Sequence, residues 1–248
     1  ISDYQAQKRG GKGRSATNMK EDDVIEHLLV TSTHATILCF TNTGRVFGLR
    51  GFEVPIASRG SKGRPLVNLI NLESDESVTA ILPVESLKDD SKFVFFATAS
   101  GTVKRVALSQ FANLRAQGLR AIDLVDGDNL VGVAITDGNQ QIMLFSNEGK
   151  AIRFAESDVR AMGRTAKGVR GMRVALAANA LDSEDAENDN DENEDSDESS
   201  DSGVVSRIVS LVVVPATGEV LCACANGYGK RTPVDDFPTK KRGGKGVI

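Results

Sequence analysis

The sequence predicts an all-β chain of repeated, propeller-like blades, and three observations carry the prediction. Four segments read as strand, glycine-containing turn, strand. A second glycine follows each turn glycine at a nearly constant distance. Glycine, at 24 of 248 residues, is abundant enough to furnish tight turns in every unit.

The four hairpin segments are 37–47, 95–106, 142–154 and 220–232, with turn glycines Gly44, Gly101, Gly149 and Gly227. Each glycine closes a short polar turn between alternating apolar and polar residues, the pattern of a paired, half-buried strand. Ten residues beyond each comes an apolar side chain: Val54, Phe111, Val159 and Phe237. Four coincidences in phase mean a repeated unit.

The second glycines are Gly63, Gly118, Gly168 and Gly246, which follow the turn glycines by 19, 17, 19 and 19 residues. Three of them complete the pattern R-x-x-K-G, from Arg59 through Lys62, from Arg164 through Lys167 and from Arg242 through Lys245. The second copy is degenerate, with Arg115 and Gln117 before Gly118. A further copy runs from Arg9 through Lys12 to Gly13. An apolar strand is expected after each such loop, as at Leu66, Val67, Asn68, Leu69 and Ile70.

Glycine markers 13, 63, 118, 168 and 246 are separated by 50, 55, 50 and 78 residues. The long last interval contains residues 182–201, with twelve acidic side chains and no Lys or Arg. Its composition is that of a solvated, disordered loop, so 182–203 is read as an insertion in one domain spanning 1–248. It also disguises the charge of the rest. The chain carries −4 overall, but outside that run 30 cations face 22 acids, a balance of +8. About four blades are expected, without a closed ring, because the chain stops at Val247 and Ile248 where another strand should start. Having no Met at Ile1, it is expected to begin inside a longer protein.

Enzyme classes fail on inventory. No phosphate-binding G-x-x-x-x-G-K-[S/T], no G-x-S-x-G and no H-E-x-x-H occurs. His27 and His34 have no nucleophile or acid arranged around them and read as surface residues. The acidic run lacks the spaced ligands and turn glycine of a calcium loop. Cys222 and Cys224 resemble half a metal site without a second pair, so packed thiols are the preferred reading, and three cysteines fit a reducing cytoplasm. No apolar run reaches the roughly 20 residues that span a bilayer. Neither a metal nor a cofactor is expected in this domain.

What remains is a periodic supply of cations in glycine-rich loops. Neutralising several phosphates of a duplex releases counterions, and glycines let the backbone approach phosphate oxygens. The hairpins add Arg45, Lys104, Arg105, Lys150, Arg153, Lys230 and Arg231, and Arg64 follows Gly63. An arginine recurs four residues past the turn glycine in three units, at Arg105, Arg153 and Arg231. Any one of these cations is more simply a solvated strand face. As a set in register they point to double-stranded DNA held by its backbone, since no base-reading helix, zinc finger or stacking platform is apparent. The competing reading is a propeller-type scaffold whose rim takes an acidic protein.

The heptapeptide Gln7, Lys8, Arg9, Gly10, Gly11, Lys12, Gly13 resembles the gyrase box, Q-R-R-G-G-x-G, with Lys8 in place of Arg. Stretches at 37–40, 63–65, 79–83, 124–128, 159–163 and 226–232 are also similar to the C-terminal DNA-wrapping domain of bacterial DNA gyrase A. The resemblance covers nearly everything but the acidic run. It implies a β-pinwheel, six-bladed in the family with strands exchanged between blades. It further implies wrapping of duplex DNA around a basic rim in support of negative supercoiling. The implied partners are the rest of gyrase A and gyrase B in a heterotetramer in the bacterial cytoplasm, at the nucleoid, with ATP and Mg2+ used elsewhere. The isolated domain is expected to be monomeric. The topoisomerase IV counterpart is the nearest alternative family, and the intact box argues against it. On this reading the acidic run is either a tolerated loop or a DNA mimic competing for the rim.

Overall fold

The computed structural model describes residues 27–58, 60–174, 205–215, 217–224 and 226–248, so the acidic insertion, the heptapeptide at 7–13 and Arg59 lie outside the described residues. All four predicted hairpins are present. They are β1 (Thr36–Thr41) with β2 (Arg45–Arg50), β4 (Phe93–Thr98) with β5 (Thr102–Ala107), β8 (Gln141–Ser146) with β9 (Ala151–Ala155), and β12 (Glu219–Ala223) with β13 (Gly229–Pro233). Each second strand runs into a short 3-10 turn: Gly51–Glu53, Leu108–Phe111, Glu156–Asp158 and Val234–Asp236.

A third, edge strand flanks each of the first three hairpins. These are β3 (Val78–Val84), β7 (Leu130–Thr136) and β11 (Ile208–Val214), paired antiparallel with β1, β4 and β8. Every one of these pairings shifts register near its end, at Phe40/Thr41, Ala97/Thr98 and Ile208/Ser210. The repeat therefore extends to its irregularities. Pro83 falls in β3, an edge strand, which is where a sheet accommodates proline.

The fourth strand of a blade comes from the next repeat. β6 (Leu119–Arg120) follows the second hairpin yet pairs with β2, and β10 (Val169–Arg170) follows the third yet pairs with β5. Val247, after the fourth hairpin, makes the same bridge to Ala151 of β9. The sheets are thus β3-β1-β2-β6, β7-β4-β5-β10, β11-β8-β9 and β12-β13. This is an all-β pinwheel of strand-exchanged blades.

The expected strand over 66–70 is a correction. Leu66–Asn68 is a 3-10 turn, with Asn68 N–H bonded to Pro65 O and Leu69 N–H to Leu66 O. Its apolarity serves packing, not a pleat: Ile70 is buried with Cys39 and Phe47, and Leu66 packs against them.

Between blades the core is filled from both faces of a strand. In β4, Phe96 faces the first blade and meets Phe40 edge-on at 5.5 Å, while Phe95 faces the third and lies 6.5 Å from Phe154. Successive side chains on a strand point to opposite faces, which is why the run Phe95, Phe96 can serve two cores. Fully burying one such ring contributes about 1.5–3 kcal/mol. Phe111 and Val159, two of the residues ten past the turn glycines, are buried in these interblade cores; Phe237 is half-buried, and Val54 is exposed. The thiols divide as well. Cys39 is buried, its pKa raised to about 11 by desolvation, and Cys222 packs in the fourth blade. Cys224 is exposed beyond the end of β12, so the packed-thiol reading fails there.

Candidate nucleic-acid interface

The loops at 115–118, 164–168 and 242–246 each lead into the segment that returns to the preceding blade. That return forces close approach: a Cβ on Gly168, whose φ is +110°, would stand 2.6 Å from Val103 O. Only glycine fits both the conformation and the space.

Successive loops are tied to one another by equivalent bonds. Arg164 donates through Nη1 to Arg120 O at 3.5 Å, and Arg242 donates through Nη1 to Arg170 O at 3.0 Å. In both cases the acceptor lies two residues past the preceding loop's glycine. A second pair repeats the pattern in the backbone: Asp123 N–H to Ala166 O at 3.4 Å, and Arg173 N–H to Gly244 O at 2.9 Å. The three loops therefore follow one another along a single edge. Within R-x-x-K-G the labour divides: Arg164 and Arg242 are half-buried clips, whereas Lys167 and Lys245 are exposed. Lys62, Arg64 and Arg115 are exposed too.

The structure adds Arg120 and Arg170, which sequence reasoning missed. Both are exposed and stand two residues past a loop glycine, a register that repeat alignment could have exposed. Arg120 is shared with Asp123 at 2.7 Å, a surface pair worth little in water. Arg173, Lys240 and Lys241 are further exposed cations on the same segments.

Of the hairpin cations predicted to meet DNA, Lys104, Arg105 and Arg153 are turned into the fold, and Arg45 is paired at the surface with acidic partners. Lys104 is fully buried, with Nζ donating to Ala121 O at 2.9 Å and Arg164 O at 2.5 Å, so it cannot touch a phosphate. Burial is the main reason its pKa falls to about 8; the nearby Arg164 charge lowers it further, and Asp123 opposes both. Arg45 is held by Glu73 at 2.7 Å, Glu76 at 2.9 Å and Gln117 O at 2.5 Å. Burial works against the Glu76 charge, but hydrogen bonds from Thr41, Thr43 and the Glu73 amide, with Arg45, hold its carboxyl below the ordinary value.

Arg105 and Arg153, at one repeat position, cross to the next blade. Arg105 lies over the Phe93 ring, 3.4 Å from Gly138 O and 3.8 Å from the buried Glu156 carboxylate. Arg153 donates to Val234 O at 2.9 Å and Phe237 O at 3.3 Å. The first blade has Gly48 there, with Leu114 filling the space. In the fourth blade Lys230 and Arg231 are exposed, and Arg231 pairs only loosely with Glu219 at 3.3 Å.

His27 and His34 are exposed, as expected of surface residues. Among the described residues no group of three or more His, Cys, Asp or Glu could hold a metal ion, and no helix is long and apolar enough to cross a membrane.

Comparison with known proteins bears on this arrangement. The family model for the DNA gyrase C-terminal domain, a beta-propeller, matches residues 1–32, 35–85, 92–137, 140–185 and 218–248. The DNA gyrase A protein of Haemophilus influenzae is 52% identical over 248 residues, and that of Escherichia coli K12 is 48% identical over the same length. The whole chain is matched in both, but it covers 28% and 25% of those proteins, about a quarter of their length. A solved gyrase A C-terminal domain superposes with a TM-score of 0.70 at 25% identity, over 99% of this chain and 70% of that one. The C-terminal domain of DNA topoisomerase IV gives 0.70 at 25% identity, over 87% and 58%. With the family model matching most of the chain and its repeats folded as exchanged blades, this chain belongs to the DNA gyrase C-terminal domain family.

Proposed function

We propose that this domain binds and bends double-stranded DNA along the edge formed by its R-x-x-K-G loops, without reading base sequence. One observation carries the reading: equivalent arginine clips place successive loops side by side, with Lys167, Arg170 and Lys245 exposed along them. Smoothly bending 20–30 base pairs costs on the order of 1–6 kcal/mol, which a single cation cannot offset and a series can. The domain contributes no catalytic step and holds no cofactor; it presents a curved duplex to the rest of a type IIA topoisomerase. In that setting it supports ATP-dependent negative supercoiling, within a heterotetramer of gyrase A and gyrase B in the bacterial cytoplasm, ATP and Mg2+ acting elsewhere. The gyrase A names and high identities of the curated relatives support gyrase over topoisomerase IV.

The test is the salt dependence of duplex binding, measured by fluorescence anisotropy. Affinity should fall steeply between about 50 and 200 mM salt, and Lys167→Ala with Lys245→Ala should reduce the log–log slope by about 2. A slope near zero in the unaltered chain would reject phosphate binding and return the acidic-protein scaffold to consideration.

A further inference from the structure

We infer that Lys104 is a buried positioning residue that sets the second and third loops in register, and with them the path of the duplex between two blades. This deepens the DNA-binding reading and rests on it for its functional half. The residue three past the turn glycine lies beneath the incoming loop. In the first blade it is Phe47, whose ring lies against Gly118, and in the third it is Ile152, beneath Gly244. The second blade puts an ammonium in this place. Burying a charge is costly unless it is well bonded, and an apolar side chain of like size is often neutral or better for stability. Stability alone therefore does not account for a lysine here.

Its bonds supply the reason. Where the third and fourth loops meet, Gly243 N–H donates to Gly171 O at 2.6 Å, three residues past the preceding loop's glycine. The third loop has Thr165 at the position of Gly243, whose φ is +88°, a conformation a β-branched residue rarely takes. The carbonyl equivalent to Gly171 O is Ala121 O, and it accepts from Lys104 Nζ. The same Nζ holds Arg164 O, at the head of the third loop. One ammonium thus does across this junction what a main-chain amide does across the next, and it grips both sides. The charged groups facing it are Asp123 and Arg164. With both Arg164 atoms engaged, the carbonyl below and the guanidinium on Arg120 O, the loop leaves Lys167 as its outward cation.

The experiment has two arms, both on the full chain. In the first, the carbonyl 13C resonances of Ala121 and Arg164 are followed against pH. They should move together with one midpoint near 8, the value to which burial lowers Lys104. Independent midpoints, or no movement, would overturn the shared clasp, and this arm needs neither DNA nor a variant. In the second, Lys104→Met is compared with the unaltered chain. It should keep its salt slope for duplex binding and melt at a lower temperature, because Ala121 O and Arg164 O lose their side-chain donor, while hydrogen exchange across 163–168 speeds up at least tenfold and linking-number change per bound protein falls severalfold. A salt slope reduced by about 1 would make Lys104 a direct phosphate contact, contrary to the inference, and unchanged exchange and wrapping would remove its positioning role. If the unaltered chain changes no linking number, the DNA reading fails while the first arm still decides the clasp.

Discussion

The second and fourth hairpins carry nearly the same local sequence, G-T-V-K-R at 101–105 and G-Y-G-K-R at 227–231, in two settings: a returning segment covers the second, and none of the described residues covers the fourth. In the second, Lys104 is fully buried and Arg105 is braced against the Glu156 carboxylate of the third blade. In the fourth, Lys230 and Arg231 are exposed. The motif does not decide the role. What decides it is whether a following blade and its returning loop pack over the hairpin, because only then is water replaced by fixed carbonyls and rings.

The largest effect expected from this contrast is at the turn glycines. A Cβ on Gly101 would lie 2.2 Å from Met172 O of the returning segment, whereas one on Gly227 meets nothing within 4 Å. Gly101→Ala should lower unfolding stability by about 3–4 kcal/mol, combining clash with a positive φ. Gly227→Ala, with positive φ alone, should lose about 1–2 kcal/mol. Equal shifts of the urea midpoint would mean that the two turns are packed alike.

Next comes the arginine that crosses between blades. Arg153→Ala leaves Val234 O and Phe237 O without their side-chain donor and should destabilise by about 1–3 kcal/mol. Arg231→Ala should change the melting curve by no more than about 0.5 kcal/mol. A comparable loss at both sites would erase the distinction between structural and outward cations.

Thiol chemistry sharpens the same contrast without altering the fold. At pH 8 the exposed Cys224 should react with a disulfide reagent within minutes. Cys39, held protonated with a pKa of about 11, should react only as fast as the protein unfolds. Because folding raises the Cys39 thiol pKa from 9.0 to about 11, the fold loses stability as pH rises from about 9 to 11. The smallest effect is expected from deleting 182–201, which removes twelve negative charges. If that run competes for the outward cations, duplex affinity in low salt should rise a few-fold; unchanged affinity would leave it a tolerated loop.

The hairpins were legible because alternation and turn glycines are local signals. The exchange of β6 and β10 was implied by the family resemblance but not by their own residues, since two-residue strands carry no periodicity and their partners are 73 or more residues away in β2 and 66 or more away in β5. For the same reason Leu66 to Ile70 read as a strand: apolar content shows that a segment is buried, not that a partner edge awaits it. The site was half legible. The loop cations could be listed from R-x-x-K-G, but the difference between Arg164 as clip and Lys167 as outward charge lies in a bond to Arg120 O, 44 residues back. Lys104, Arg105 and Arg153 looked like rim charges because a lysine or arginine on a strand is usually solvated, and only interblade packing shows otherwise.

The central proposal is that the exposed loop cations together bend a duplex around the blades. It is tested most directly by incubating the chain with nicked circular DNA, sealing the nick, removing the protein and resolving the topoisomers. The account predicts a linking-number shift of one sign that grows with bound protein and is lost in the Lys167→Ala, Arg170→Ala, Lys245→Ala variant. A topoisomer distribution identical to that of DNA sealed alone, at concentrations where the duplex is bound, would contradict it.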